Sequence, residues 1–146
     1  MIRSDQILKT VAMIQQENLD VRTITLGINL MDCRHHDIDV VCERVVAKIR
    51  DLAGPLVPTC EEVSTRYGVP IVNKRLAVSP IADVGAGTDC AGFVKLAQAL
   101  DQAARAVGID FVGGFNAQVE KGWSKADRQL IDALPEALLT TKKVCA

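Results

Sequence analysis

The sequence predicts an α/β fold in which a mainly parallel sheet is covered by helices. Three observations predict it. Short apolar runs at residues 21–28, 71–78 and 110–115 alternate with longer stretches of helical periodicity. The second and third runs each follow a helix stop, Gly68 or Gly108, and end against Pro or Gly. The resulting order is α-β-α-α-β-α-β-α, with another strand beginning at the last residues, and alternation of this kind favours parallel strands under a helical layer. With 146 residues the chain fits one domain with a core of its own. Only 3% of residues are aromatic, so that core must be built from Val, Ile, Leu and Ala.

Taken in order, Ser4 or Asp5 is placed to cap a first helix. There Ile7, Leu8, Val11 and Ile14 recur at helical spacing, and Asn18 and Asp20 break the pattern. Residues 21–28 follow as a strand with Ile24, Leu26 and Ile28 on one face and Thr23 and Thr25 on the other. Gly27 leaves that second face open at one point. Residues 29–37 read as a polar loop. Asp37 or Asp39 caps the next helix, whose apolar stripe is Val41, Val45, Ile49 and Leu52, and Gly54-Pro55 stops it. Thr59 caps a short helix to about Tyr67, with Glu61 and Glu62 in its first turn, where the helix dipole favours them.

In the second strand, residues 71–78, Val72, Leu76 and Val78 line one face, and Ile71, Asn73, Arg75 and Ala77 the other. Residues 80–87 read as a loop. Thr88 or Asp89 caps a long helix with Phe93, Leu96, Ala97, Leu100, Ala104 and Val107 inward. The third strand is expected over residues 110–115. Ser124 caps a last helix with Ala126, Leu130, Ile131 and Leu134 inward, which Pro135 bends or divides. Residues 142–146 have the look of a strand's start.

Parallel sheets are usually buried on both faces, yet two strands place polar side chains on one face, Thr23 and Thr25 in one and Asn73 and Arg75 in the other. A closed barrel with a lumen or cleft accounts for this, and so does a sheet face awaiting a further domain.

A net charge of −1 and a pI near 6.1 give no basic patch for nucleic acid. No apolar run approaches the roughly 18 residues that span a bilayer. The N-terminus is polar and does not read as a signal peptide, so a cytoplasmic location is expected. Five widely spaced Cys without a Cys-x-x-Cys point to free thiols rather than a disulfide framework.

Several motifs carry candidate chemistry. In Asn73-Lys74-Arg75, a guanidinium on the polar strand face suits bidentate capture of a carboxylate or phosphate, and an internal ion pair is the alternative. Lys74 alternates to the apolar face. Gly113-Gly114, at a strand end, suits close approach of backbone to a ligand, or simply a bulge or tight turn. Gly85-Ala86-Gly87-Thr88-Asp89 lacks the third Gly of a dinucleotide site and the Gly-Lys-Ser/Thr of a phosphate loop, and reads as a loop with an N-cap. The stretch Asp32-Cys33-Arg34-His35-His36-Asp37 offers several ligand atoms, but adjacent His side chains diverge, so no metal site is expected. Cys33 is a candidate thiol or a small core residue. Cys42, beside Val45, Val46 and Ile49, reads as core filler.

Residues 21–28, Asp32-Cys33, the block 71–75, Thr88-Asp89 and residues 110–115 together resemble the UPF0210 family, also called DUF711 or PFL-like, over essentially the whole chain. The resemblance implies an α/β barrel similar to glycyl-radical enzymes, although no glycyl-radical motif occurs in these residues. It implies an unassigned activity and cofactor, a homodimer, and small ACT-domain proteins as companions. Family members are much longer, so the 146 residues are expected to be one domain, the N-terminal portion of a longer chain. The expected function is binding of a small anionic metabolite at the strand ends. Arg75 would be the charge partner, Asn73 an orienting hydrogen-bonder, and Gly113 and Gly114 close-approach backbone. A regulatory or assembly module acting through a partner, and an inactive fragment, are the alternatives.

Overall fold

The computed structural model describes residues 3–17, 20–120 and 122–146. Its elements are α1 (Ser4–Glu17), β1 (Val21–Ile28), a 3-10 turn (Met31–Cys33), α2 (Ile38–Ala53), α3 (Leu56–Tyr67), β2 (Ile71–Val78), α4 (Ile81–Val84), α5 (Cys90–Ala106), β3 (Phe111–Gly113) and α6 (Lys125–Thr140). The strands pair in the order β1-β2-β3, all parallel, and Val144 adds one parallel bridge to Val112. The expected α/β fold with a parallel sheet is what the chain forms.

Register explains the core. Leu26 lies opposite Leu76, Leu76 opposite Val112, and Val112 opposite Val144, so one apolar row crosses the sheet. In-register neighbours point to the same face, and this face meets a layer in which α5 packs between α2 and α6. Phe93, Leu96, Ala97, Leu100, Ala103 and Ala104 of α5 are fully buried. A helix covered on three sides must be apolar around most of its circumference, and the alanines let its flanking helices approach closely. Apart from Ile71 at the start of β2, the buried strand residues all lie on this face.

Caps fix the helix starts. Asp37 accepts the Asp39 N–H at 2.9 Å, Asp89 accepts the Gly92 N–H at 2.8 Å, and Ser124 and Asp127 form a reciprocal capping box. Gly68, at φ +67°, closes α3 in the left-handed conformation that favours glycine.

The structure departs from the sequence reading at several points. Ser4 is already helical: the preceding Arg3 N–H donates to Gln6 Oε1, which does the capping work instead. Ile7, Leu8 and Val11 are exposed rather than in the core; Asn18 and the side chain of Ile14 lie outside the described residues. Leu52 is exposed and Ala53 takes its place, because the stripe runs 41-45-49-53 at steps of four. Gly54 keeps right-handed helical angles, so α3 restarts at Leu56; Thr59 lies within it, and Glu61 and Glu62 fall beyond its first turn. Val72 is exposed near the start of β2.

Residues 80–87 contain α4, whose Ile81, Ala82 and Val84 are buried. The Ile81 and Ala82 N–H groups donate to the Gly114 and Asn116 carbonyls, which ties α4 beneath the strand ends. β3 has three residues, although pairing starts earlier, where Asp110 exchanges backbone and side-chain hydrogen bonds with Lys74. α6 runs unbroken through Pro135.

Candidate functional site

The second face of the sheet is open. Thr25, Arg75 and Phe111 form one row across it and Gly27, Ala77 and Gly113 the next, each set in register. Thr25, Arg75, Ala77 and Phe111 are exposed. Together with Gly113 and Cys145 they line a hollow of about 380 Å³. The small residues Ala77 and Gly113 make its floor, and the longer Arg75 and Phe111 side chains make its wall.

Arg75 dominates the charge of this hollow. Its guanidinium carbon lies 5.4 Å from the Phe111 ring centroid, a cation–π arrangement that steadies the planar group. No carboxylate among the described residues pairs with it, so the internal ion pair considered from sequence is absent among those residues. Asn73 stands on the same strand face, but its Nδ2 donates to the Arg22 C=O at 3.0 Å, linking β1 and β2 outside the hollow. Gly113 lines the hollow. Gly114 has φ +111°, and a Cβ there would sit 2.5 Å from the Val78 C=O, so its glycine is required by the close passage of backbone past β2. The structure therefore brings Arg75 and Gly113 together and gives Asn73 and Gly114 local backbone roles.

Sequence reasoning passed over Phe111 and Cys145 as wall residues. Register across three strands brings them to Arg75, and no local motif encodes that. It also passed over a junction at the strand C-termini, where Ser79 Oγ accepts the Leu30 N–H and donates to Asn29 Oδ1, itself an acceptor of the Met31 N–H. Asn29 and Ser79 each directly follow a strand, the one signal available.

The other candidates have structural explanations. Asp32 accepts Lys48 Nζ at 2.5 and 2.7 Å, and that contact holds its carboxyl below the usual value. Burial, then the adjacent Asp32 charge, pushes the Cys33 thiol up, away from the thiolate that reactivity needs. Burial and Asp39 push Cys42 up to about 11. His35 Nδ1 accepts the Asp37 N–H. Among the described residues no group of three His, Cys, Asp or Glu side chains converges on a metal position, and no helix is long and apolar enough to cross a membrane.

Comparison with known proteins settles the relationship. A family model described as "Uncharacterised ACR (DUF711)" matches residues 12–146. The chain belongs to the DUF711 family. A UPF0210 protein of Desulfovibrio desulfuricans is 49% identical over all 146 residues, which make up 32% of that relative. UPF0210 proteins of Methanococcoides burtonii and Clostridium perfringens are 51% and 47% identical over the same span, again 32% of each. This DUF711 chain thus spans about a third of the length of the curated relatives it matches.

Proposed function

We propose that this UPF0210 chain supplies one wall of a binding site for a small anionic metabolite on the open sheet face. The observation that carries the reading is Arg75: an exposed guanidinium without a carboxylate partner among the described residues, held over Phe111 at the side of a 380 Å³ hollow. A planar guanidinium stacked on a ring keeps its edge N–H groups directed outward, which suits a carboxylate or phosphate. The Thr25 hydroxyl, in register with Arg75, adds a hydrogen-bonding group. Gly113 allows close approach, Asn73 anchors the strand beneath, and Gly114 sets the end of β3. The sequential strand order, with α5 layered between α2 and α6 against the face opposite the hollow, supports reading the domain as the N-terminal portion of a longer barrel-like chain whose lumen side is the open face. A cytoplasmic location fits a metabolite ligand.

The test is a thermal-shift screen of the protein with phosphorylated and carboxylated metabolites, repeated with Arg75→Ala and Arg75→Lys. Loss of ligand-induced stabilisation in both variants, with an unchanged circular dichroism spectrum, supports the site. Unfolding of Arg75→Ala would assign the residue a structural role.

A second reading, assembly through a second copy, is favoured by α1, whose Ile7, Leu8, Val11 and Met13 are exposed on a helix with few contacts to the rest. Light scattering of Leu8→Glu against the parent chain tests it: a dimer that dissociates supports assembly, whereas an unchanged mass removes α1 from it. A monomeric parent that gains mass only with an added ACT-domain protein would move the assembly reading to that partner.

A further inference from the structure

The open face continues past the hollow. Strand alternation carries it from Thr25 and Gly27 to Asn29, and from Arg75 and Ala77 to Ser79. Asn29 is exposed and Ser79 is half-buried. The row Gly27-Ala77-Gly113 lies between this pair and Arg75. A Cβ at Gly27 would meet nothing within 4 Å, so no described residue stands over that end of the row. Glycine inside a strand costs stability, and neither a positive φ nor packing among the described residues calls for it here.

Asn29 is held in one orientation. Its Oδ1 accepts the Met31 N–H at 2.9 Å and the Ser79 hydroxyl at 3.1 Å. Ser79 Oγ in turn accepts the N–H of Leu30, which is fully buried. A backbone N–H only donates, so the atom facing Met31 is the amide oxygen, and Nδ2 points away from the turn. Among the described residues Nδ2 has no acceptor. An Asp would close the same turn through the same oxygen. Only Asn adds two N–H donors on the outer side, fixed by a buried backbone neighbour.

We propose that Asn29 is the second anchor of the site, and that the ligand is an extended acid whose far end carries an uncharged carbonyl. The inference rests on the anion reading of Arg75. Phe111 holds the guanidinium in its own row. Ser79 lies four residues further along the same strand, which at about 3.3 Å per residue separates the anchors by about 13 Å. A hydrogen bond of about 3 Å at each end leaves about 7 Å between the acid group and the carbonyl. A molecule of that span lies across the small row. The far end is uncharged because the Asn29 amide is neutral and the Asp32 carboxylate of the following turn, 68% exposed, disfavours a second anion. Ser79 is a positioning residue that acts through Asn29.

The test is an NMR-monitored titration of the 146-residue chain in about 0.15 M salt, where distant charges are screened. The probes are the monomethyl esters of succinic, glutaric, adipic and pimelic acids, each against the saturated monocarboxylate of equal chain length. The adipate and pimelate esters should bind about fivefold tighter than their saturated counterparts, and the succinate ester should gain nothing. Asn29→Asp keeps the turn and removes the donors, so it should abolish that gain and leave the saturated acids unchanged. Ser79→Ala, which lets the amide turn, should reduce the gain and likewise spare the saturated acids. Arg75→Ala should weaken every acid. A gain that is absent, that survives Asn29→Asp, or that appears only with the free diacids overturns the inference, while binding of the saturated acids through Arg75 would leave the anion reading standing. Failure of every acid to bind overturns it too, and the anion reading then rests on the Arg75 screen alone.

Discussion

The two faces of one sheet obey different rules. On the helix-covered face the row from Leu26 through Leu76 and Val112 to Val144 is apolar, and packing accounts for each member. On the open face the same strands present Thr25, Arg75, Gly27, Ala77 and Gly113. No packing among the described residues calls for an arginine there. An exposed face on a parallel sheet is uncommon, so the residues that packing leaves unexplained are where function is best sought. The difference is also one of energy: the covered face should carry the stability and the open face the specificity.

Truncation gives the largest expected effect. Phe93, fully buried under the covered face, should cost about 3–5 kcal/mol as Phe93→Ala, through lost burial and a cavity. Arg75→Ala on the open face should stay within about 0.5 kcal/mol, as surface substitutions usually do. Urea denaturation of the two variants and the parent measures both. If Arg75→Ala cost as much as Phe93→Ala, the contrast between the faces would be wrong.

The adjacent glycines sharpen the contrast at the next scale. Gly114→Ala must place a Cβ 2.5 Å from the Val78 carbonyl oxygen at φ +111°, where side chains are strained. A loss of about 1–3 kcal/mol is expected. Gly113→Ala meets nothing closer than the Leu76 carbonyl oxygen at 3.8 Å, and should change stability little. Its methyl would project into the hollow, so any ligand found by the Arg75 screen should bind more weakly. Thermal melts with and without that ligand separate the pair.

The covered face was largely legible in the sequence, because burial leaves a periodic record. The bounds of β1 and β2, the cap at Ser124 and the inward face of α5 follow from local spacing. Spacing also narrows two further caps to Asp37 or Asp39 and Thr88 or Asp89, resolved by hydrogen bonding as Asp37 and Asp89. The misreadings fall where a neighbour overrides the local pattern. Leu52 fits a helical stripe but lies beyond the reach of the core, and the stripe of α1 finds little to pack on. Residues 80–87 look like a loop because Gly and Pro flank them, yet they bury Ile81 and Val84 under the strand ends. The open face was legible in part. Alternation placed Asn73 and Arg75 together, but only three-strand register brings Phe111 and Cys145 to Arg75, and only hydrogen bonding shows that Asn73 is engaged by the Arg22 carbonyl.

The smallest expected effect concerns the edge between the faces. Burial alone would push the Asp101 carboxyl up, but the Lys142 and Lys143 amides and the Arg105 guanidinium outweigh it and hold the group below its ordinary 3.8. A depressed folded-state value favours the ionised form in the native protein. The stabilisation is therefore complete well above pH 3.8 and is lost as pH falls through that value toward the folded-state one. Both amides donate to one oxygen, Oδ1, which Asp101→Asn retains while removing the charge. At pH 7 this variant should lose about 1 kcal/mol or less, because Arg105 is half exposed and its pairing is screened. The difference from the parent should shrink as pH falls below 3.8 and vanish only below the folded-state value, where the parent's own native carboxyl is protonated. Asp32 and Asp127 are also held low, so both proteins will lose stability in acid, and only the difference between their pH profiles isolates Asp101. A difference that persisted unchanged at pH 3 would mean that the clamp acts through shape and not through charge.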